Sequence, residues 1–64
     1  MISSFDKALE LLKNNGFIQV VENRGFRFEK RTGTKKHNCE VLFFKSVDEM
    51  FFYLNCYLEQ GVLK

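Results

Sequence analysis

Phenylalanine is the residue that most restricts how this chain can fold. The chain has 64 residues, of which eight are phenylalanine and none is proline. A domain of about 60 residues buries only ~60% of the surface that its unfolded chain exposes, so its core has to be efficient. Each aromatic side chain buries roughly 150–250 Å², and the phenylalanines therefore supply a large part of that core. We expect one small domain over residues 1–64.

Composition and segment length exclude several classes of protein. Hydrophobic residues make up 45% of the chain, a normal share for a globular protein and too high for a disordered one. The apolar runs fall far short of the roughly 20 residues that a membrane-spanning helix needs. Met1–Asp6 has neither the basic start nor the apolar stretch of a signal peptide. Cys39 and Cys56 are too few for a small secreted scaffold, so we expect two reduced thiols in a cytoplasmic protein.

The first element is predicted to be an amphipathic helix. Ser3 or Ser4 can cap its N-terminus. Apolar residues recur at helical spacing along one side, namely Phe5, Ala8, Leu9 and Leu12. The helix is expected to end at Gly16, which in the left-handed conformation would bring Phe17 onto Leu12 as in a Schellman cap.

Three strands are predicted to follow the helix. Phe17–Glu22 is rich in β-branched and aromatic residues, and Phe26–Arg31 alternates strictly between apolar and charged side chains. Between them, Asn23–Gly25 suits a three-residue hairpin loop with Gly25 at positive φ. A polar loop over residues 32–38 leads to the third strand, Cys39–Phe44.

A second helix is predicted from a capping box, in which Ser46 caps the N-terminus and Glu49 occupies the third helical position. The helix should run to about Gln60 and end at Gly61. Its core side is formed by Val47, Met50, Phe51, Leu54, Tyr57 and Leu58. Short connections favour an antiparallel meander. We therefore predict an α+β fold of order α-β-β-β-α, a three-stranded antiparallel sheet with both helices packed on one face.

Four apolar residues fall outside the expected core and mark candidate protein-contact surfaces. Phe52 and Cys56, one helical turn apart, lie among polar residues of the second helix. On the third strand, Leu42 and Phe44 would form the apolar centre of an uncovered sheet face with arginines at its rim. The alternatives are that other segments cover the helical pair, and that the strand contains more β-forming residues than its core needs.

Positive charge is concentrated in residues 24–37, where Glu29 is the only acidic residue among six basic ones. These are Arg24, Arg27, Lys30, Arg31, Lys35 and Lys36. Such a segment can bind phosphates or an acidic protein, and it can equally be a solvated hairpin. Phe26 and Phe28 interleave the arginines, as in platforms on which bases stack. Strand alternation nevertheless directs these two rings away from Arg27 and Arg31, towards the core.

No residue pattern indicates catalysis, a metal site or a cofactor. His37 and Cys39 form a lone His-x-Cys pair, whereas tetrahedral zinc needs about four ligands. His37 also has no evident Ser or Cys nucleophile beside it. The carboxylates are scattered, and Gly25 and Gly33 are isolated rather than part of a phosphate-binding motif. We expect neither an enzyme nor a small-molecule substrate.

Residues 5–30 resemble the HicA toxins, whose fold has the element order of double-stranded RNA-binding domains. The similarity is carried by Ala8-Leu9-Glu10-Leu11-Leu12-Lys13-Asn14-Asn15-Gly16-Phe17, then by Arg24-Gly25 and the aromatic Phe28. That family has a Gly-Ser-His motif whose histidine serves RNA cleavage. Here Gly25 is followed by Phe26 and Arg27, and arginine stays protonated and cannot act as a general base. The resemblance therefore implies a relative without that activity.

Two further resemblances concern nucleic-acid binding. Double-stranded RNA-binding domains place lysines at the start of their last helix, where this chain has Asp48 and Glu49, which would repel phosphate. Phe44–Glu49 is similar to a Phe-x-Thr/Ser-x-x-Glu segment of the arm-binding domains of phage-type integrases. Those domains read DNA with an open sheet face, and the resemblance would make Arg27 and Arg31 the readers.

These observations favour a non-enzymatic binding or regulatory module that acts through protein contacts, either by self-association as a homodimer or with another protein. Small phage and mobile-element proteins often have such sequences. Nucleic-acid binding by the basic hairpin 24–37 is the alternative, and a HicA-like ribonuclease is the third reading.

Overall fold

The computed structural model describes residues 1–31 and 39–64, and within these ranges it contains two helices and three strands. Helix α1 spans Phe5–Asn14 and helix α2 spans Val47–Gln60. Strand β1 spans Ile18–Val20, β2 spans Phe26–Arg31 and β3 spans Cys39–Phe44. The strands form one antiparallel sheet in the order β1-β2-β3, which confirms the predicted α-β-β-β-α fold. The predicted polar loop 32–38 lies outside the described residues.

Both ends of α1 follow the predicted capping chemistry. Ser4 Oγ accepts a hydrogen bond of 3.2 Å from the backbone N–H of Lys7. At the other end Gly16 has φ +89°, and the N–H of Phe17 donates to the carbonyl of Leu12 at 2.9 Å. This is the Schellman pairing, which satisfies carbonyls that the helix leaves without partners. It also delivers Phe17 directly into the core, where the side chain is buried.

Helix α2 begins and ends at the predicted residues, with one change in its capping box. Ser46 Oγ accepts from the N–H of Glu49 at 3.1 Å. The Glu49 carboxylate accepts from the N–H of Lys45 at 2.6 Å, one residue before the cap. Gly61 then ends the helix in the left-handed conformation at φ +75°. The reciprocal bonds hold the two-residue connection between β3 and α2 in place, so the helix folds back directly over its strand.

The core lies between the two helices and one face of the sheet, here called the covered face. Phe28 is 1% exposed and pairs across the strands with Leu42, and Phe26 pairs with Phe44. The buried set comprises Ala8, Leu12, Phe17, Phe28, Phe44, Met50, Leu54 and Leu63. Burial of one such large apolar side chain contributes roughly 1.5–3 kcal/mol to folding. The core sides predicted for both helices and for β2 are thereby confirmed.

The first hairpin differs from the prediction. Strand β1 covers Ile18–Val20 rather than Phe17–Glu22, and residues 21–25 form a longer connection. Within this connection, the carboxylate of Glu22 accepts hydrogen bonds from the N–H groups of Asn23 and Arg24 and stabilises a local turn.

The prediction of a positive φ at Gly25 is wrong, since the glycines with positive φ among the described residues are Gly16 and Gly61. Glycine is needed at position 25 for space. A Cβ there would collide with the carbonyl oxygen of Phe44 and would lie 3.2 Å from Lys45 Cα. Close approach of the loop to the end of β3 therefore replaces the expected turn geometry as the reason for this glycine.

Two asparagines hold the segments that flank the helices. Asn55 on α2 accepts from the N–H of Ile2 at 2.7 Å and donates to the Ile2 carbonyl at 3.0 Å. Asn15, at the end of α1, accepts from the N–H of Lys64 at 3.0 Å and donates to the Lys64 carbonyl at 3.3 Å. Each side-chain amide thus forms hydrogen bonds with both the N–H and the C=O of one residue, as a neighbouring strand would. These pairings seat Ile2 and Leu63 against the core.

Neither described helix combines the length and the apolar character needed to cross a membrane.

Candidate protein-contact surface

Strand β3 has an outer edge that pairs with no strand among the described residues. The sheet order places β2 on its inner side alone, and all six β3 residues pair continuously with β2 from Arg31↔Cys39 to Phe26↔Phe44. Such an edge presents backbone N–H and C=O groups that can pair with another chain. Within Cys39–Phe44 the only charged residue is Glu40, and there is no lysine or proline to discourage pairing.

On the sheet face away from the helices, here called the open face, β3 exposes apolar side chains. Val41 is 47% exposed and Phe43 is 42% exposed. They sit opposite Glu29 and Arg27 of β2, and the Arg27 Nε atom lies 2.8 Å from Glu29 Oε2. The open face therefore has an ion pair along its middle strand and apolar side chains along its outer strand.

The prediction that Leu42 and Phe44 form the apolar centre of an uncovered face is wrong. Phe44 is 2% exposed, and Leu42 is half-buried against the core. Antiparallel partners point to the same face, and Leu42 pairs with Phe28 while Phe44 pairs with Phe26. Both phenylalanines of β2 point towards the helices, so their strand partners Leu42 and Phe44 point towards the helices as well.

On the other side of the same edge, α2 exposes aromatic rings. Phe52 is 63% exposed and packs edge-on against Tyr53, with ring centroids 5.4 Å apart. Tyr53 in turn lies 6.2 Å from the ring of Phe44 and 6.2 Å from that of Tyr57. Glu49, Tyr53 and Tyr57 line a shallow groove beside β3. The predicted exposure of Phe52 is confirmed, whereas Cys56 is half-buried.

These features form one continuous region, which we call the β3–α2 surface. It consists of the outer edge of β3, Val41 and Phe43 on the open face, and Phe52 and Tyr53 on α2. Leu42 and Phe44 support it from inside. A chain placed along the β3 edge would meet backbone groups in the plane of the sheet and apolar side chains both above and below it.

Sequence reasoning missed Val41, Phe43 and Tyr53. The β3 residues alternate between two apolar sets, and strand periodicity alone does not say which set is covered. Tyr53 lies at the border between the core side of α2 and its polar side. One signal could have helped, because strand partners point to the same face of a sheet. Once Phe28 is assigned to the core, the β3 residue that pairs with it must also point towards the core.

The predicted basic residues do not converge on one compact site in the described part of the chain. Arg24 is exposed in the loop after β1, and Arg27 is engaged by Glu29. Arg31 is exposed at the far end of β2, on the same face as Arg27. Lys35 and Lys36, with His37, lie outside the described residues. Arg27 pairs with Phe43 across the strands, and Arg31 lies on the same face four residues further along β2.

Within residues 1–31 and 39–64, no group of three or more His, Cys, Asp or Glu side chains is arranged to hold a metal ion. Cys39 and Cys56 are free thiols. The arginine that follows Gly25-Phe26 forms an ion pair with Glu29.

Comparisons of the chain with protein-family models, with curated proteins and with solved structures found no match.

Proposed function

We propose that this protein is a non-enzymatic binding module that acts through protein contacts at the β3–α2 surface. The observation that carries the proposal is the six-residue β3 edge, flanked on one side by Val41 and Phe43 and on the other by Phe52 and Tyr53. Exposed apolar side chains that stand singly need no explanation, but here four of them border one edge that pairs with no strand in the described part of the chain.

The physical logic is that of strand addition. Main-chain hydrogen bonds from an extended partner give affinity, and side-chain pockets alternating on the two sides of the new strand give specificity. Aromatic rings are enriched where binding energy concentrates, because they bury large areas at low entropic cost. Tyr53 fits this role, since Phe44 and Phe52 already fix its position.

A phage-displayed library of random peptides, panned against the immobilised protein, tests this proposal. Selected peptides should be extended and apolar, and their binding should shift the backbone NMR signals of residues 39–44. Phe52→Glu should abolish binding and leave the fold intact, because the side chain is mostly exposed. Ile18→Lys, on the open face at the other edge of the sheet, is the matched control and should bind normally.

Two results would contradict the proposal. Peptides that shift signals around Arg27 and leave β3 unchanged would move the binding site elsewhere. If Phe52→Glu unfolds the domain, Phe52 belongs to the core and the α2 part of the surface does not exist.

Nucleic-acid binding is the second candidate, and the observation that favours it is that Arg27, its strand partner Phe43 and Arg31 all lie on the open face. An aromatic ring beside arginines can stack a base while the charges contact phosphates. The Arg27–Glu29 ion pair opposes it, because Glu29 competes with phosphate for the guanidinium.

The test of this alternative is a titration with duplex and single-stranded DNA and RNA at about 50 mM salt. Binding should weaken as salt rises, with a slope of roughly −0.9 per duplex phosphate contacted. The double variant Arg27→Glu/Arg31→Glu should lose binding and stay folded, since neither side chain is buried. Absence of binding to every probe would eliminate the alternative.

We also propose that the chain cleaves no RNA, even if it is related to HicA toxins. A general base has to take a proton near neutral pH, which histidine does and arginine does not. Incubation of purified protein with structured and unstructured RNA should give no cleavage. Cleavage by the parent chain that disappears in His37→Ala would assign a catalytic role to His37.

A further inference from the structure

We propose that the occupant of the β3 edge is a second copy of this chain, whose β3 pairs antiparallel with the first around a two-fold axis at Leu42. The two sheets then join into one six-stranded sheet with all four helices on the same side. This inference rests on the proposed function, because it identifies the partner of the β3–α2 surface. It is supported by how β3 matches itself in sequence, in charge and in face.

Face matching limits the registers that are available. Residues opposite each other in an antiparallel pair point to the same face, and β3 alternates faces along its length. A two-fold axis that keeps both helix layers on one side must therefore pass through a residue of β3 and cannot pass between two residues. Near the middle of Cys39–Phe44 the choices are Val41, Leu42 and Phe43.

The apolar side chains select Leu42 among these. With the axis at Leu42, Val41 of each copy lies opposite Phe43 of the other copy on the open face. Leu42 lies opposite Leu42 of the other copy on the covered face. Both exposed apolar residues of β3, Val41 and Phe43, then lose contact with water at the same time. With the axis at Phe43, Val41 would instead face Lys45, and an apolar pair would be lost.

Charge agrees with this choice. Glu40 is the only charged residue inside β3. With the axis at Leu42, the two Glu40 residues are offset by four positions, about 13 Å at ~3.3 Å per residue. That separation exceeds the ~8 Å Debye length at physiological ionic strength. With the axis at Val41, the offset falls to two positions, about 7 Å, and the two like charges repel each other.

The opposite edge of the sheet explains why β3 pairs with β3 rather than with β1. Strand β1 has three residues, and short edge strands are one of the ways in which proteins prevent pairing. A heterologous β1-to-β3 contact would also leave free edges and extend into a fibre, whereas a two-fold β3 pair closes after two copies.

The helix layer enlarges the contact beyond the strand itself. A stable interface buries about 800 Å² on each partner, more than one short edge strand offers. Tyr53 is 40% exposed and lines the groove beside β3, with Phe52 next to it. In the dimer, these rings face the α2 helix of the second copy. The interface then combines backbone pairing in the plane of the sheet with aromatic packing above that plane.

Sedimentation equilibrium from micromolar to near-millimolar protein concentration provides the primary test. We expect a monomer–dimer equilibrium without higher species. Val41→Lys places a charge opposite Phe43 of the other copy and should raise the dimer dissociation constant by at least about tenfold. Ile18→Lys makes the same change on the same face at the β1 edge and should leave the dissociation constant unchanged.

Disulfide trapping determines the register. In a Cys39→Ser/Cys56→Ser background that still dimerises, Val41→Cys and Phe43→Cys are prepared as separate proteins. The Leu42 axis predicts a disulfide when the two are mixed and little from either alone. An axis at Val41 would cross-link Val41→Cys to itself, and an axis at Phe43 would cross-link Phe43→Cys to itself. Either homodisulfide as the main product overturns the Leu42 register.

The outcomes separate this inference from the proposed function. A chain that stays monomeric throughout, yet binds selected peptides at the β3 edge, keeps the function and refutes the second copy as partner. A dimer that is indifferent to Val41→Lys refutes β3 pairing. A monomer that also selects no peptide refutes both.

Discussion

The two edges of the sheet are built from the same kinds of residues, yet they end differently. At the β1 edge, pairing stops after three residues, of which Ile18 is exposed, and the Glu22 carboxylate then accepts from the next two backbone N–H groups. At the β3 edge, six residues pair without interruption, and the capping box after Phe44 folds α2 back over the strand. One edge is limited in length, and the other stays long and flanked by aromatic rings.

Exposed apolar area has a different meaning at each edge of the sheet. Ile18, at 66%, is more exposed than Val41 or Phe43. It nevertheless has few paired neighbours in its strand on which an incoming chain could align. Val41 and Phe43 of β3 are less exposed, but they lie beside a continuous row of backbone N–H and C=O groups. Strand length and flanking rings, more than the exposure of any single residue, distinguish a docking edge from an ordinary one.

The largest effect expected from one substitution comes from adjacent phenylalanines on β3 that face opposite sides. Phe44→Ala empties part of the core and should lower the free energy of unfolding by about 3–5 kcal/mol. Phe43→Ala removes a half-exposed ring and should cost about 1 kcal/mol. Urea denaturation of both variants at one low protein concentration measures the difference. Equal losses would mean that the open face of β3 is as well packed as its covered face.

The next effect concerns the contact between the first loop and the end of β3. Gly25→Ala should cost about 1–3 kcal/mol, because the added Cβ meets the carbonyl of Phe44 and the backbone must move. Gly61→Ala is the matched control, with open space around it and φ +75°, and should cost about 1–2 kcal/mol.

Asparagine tolerates the left-handed region, so Gly61→Asn should recover much of that loss, while Gly25→Asn should recover none. Thermal unfolding of the four variants tests this distinction. Recovery of stability in Gly25→Asn would show that glycine is required at position 25 for its backbone conformation and not for space.

A smaller effect is expected at the two asparagine clamps. Asn55→Ala removes both bonds to Ile2, and Asn15→Ala removes both bonds to Lys64. Each substitution should cost about 1 kcal/mol, since a net hydrogen bond contributes roughly 0.5–1.5 kcal/mol and these sites are partly solvated. Amide hydrogen exchange should show lost protection at Ile2 in the first variant and at Lys64 in the second. Loss at both positions in either variant would show that the clamps act as one unit.

The smallest effect is expected on the open face beside β3. Glu29→Gln breaks the ion pair with Arg27, whose side chains are 30% and 40% exposed, and should cost no more than about 0.2–1 kcal/mol. The cost should shrink as salt is added, because exposed charges are screened. Chemical denaturation by urea at low and high ionic strength measures this. If nucleic acid binds here, the same variant should bind it more tightly than the parent, since Arg27 is released.

Much of the fold was predictable because local chemistry decided it. The Ser4 cap, the Gly16 exit and the Ser46–Glu49 box each act within a few residues, and all were visible as short patterns. The bounds of β2, which alternation indicated, and those of β3 were both predicted correctly. The length of β1 was not: pairing with β2 stops at Val20, and the local bonds that the Glu22 carboxylate accepts from the next two backbone N–H groups were not visible as a short pattern.

The candidate surface was only half predictable. Phe52 lies far enough from the core side of α2 that helical periodicity alone exposed it. Leu42 and Phe44 were assigned to the wrong side because β3 is apolar on both faces, so periodicity could not orient it. Tyr53 became part of the surface only once α2 was seated over β3, next to Phe44.

The order of elements, their caps and the core sides of the helices and of β2 could all be predicted from the chain alone, because these depend on interactions within one turn or one strand. Long-range packing sets which side of β3 is covered, requires glycine at position 25, and brings both flanking segments to the asparagine amides that hold them. Each of these depends on residues distant in the chain, brought together by strand register and helix placement. A one-residue shift in that register would exchange Phe43 with Phe44 and turn the core of β3 outwards.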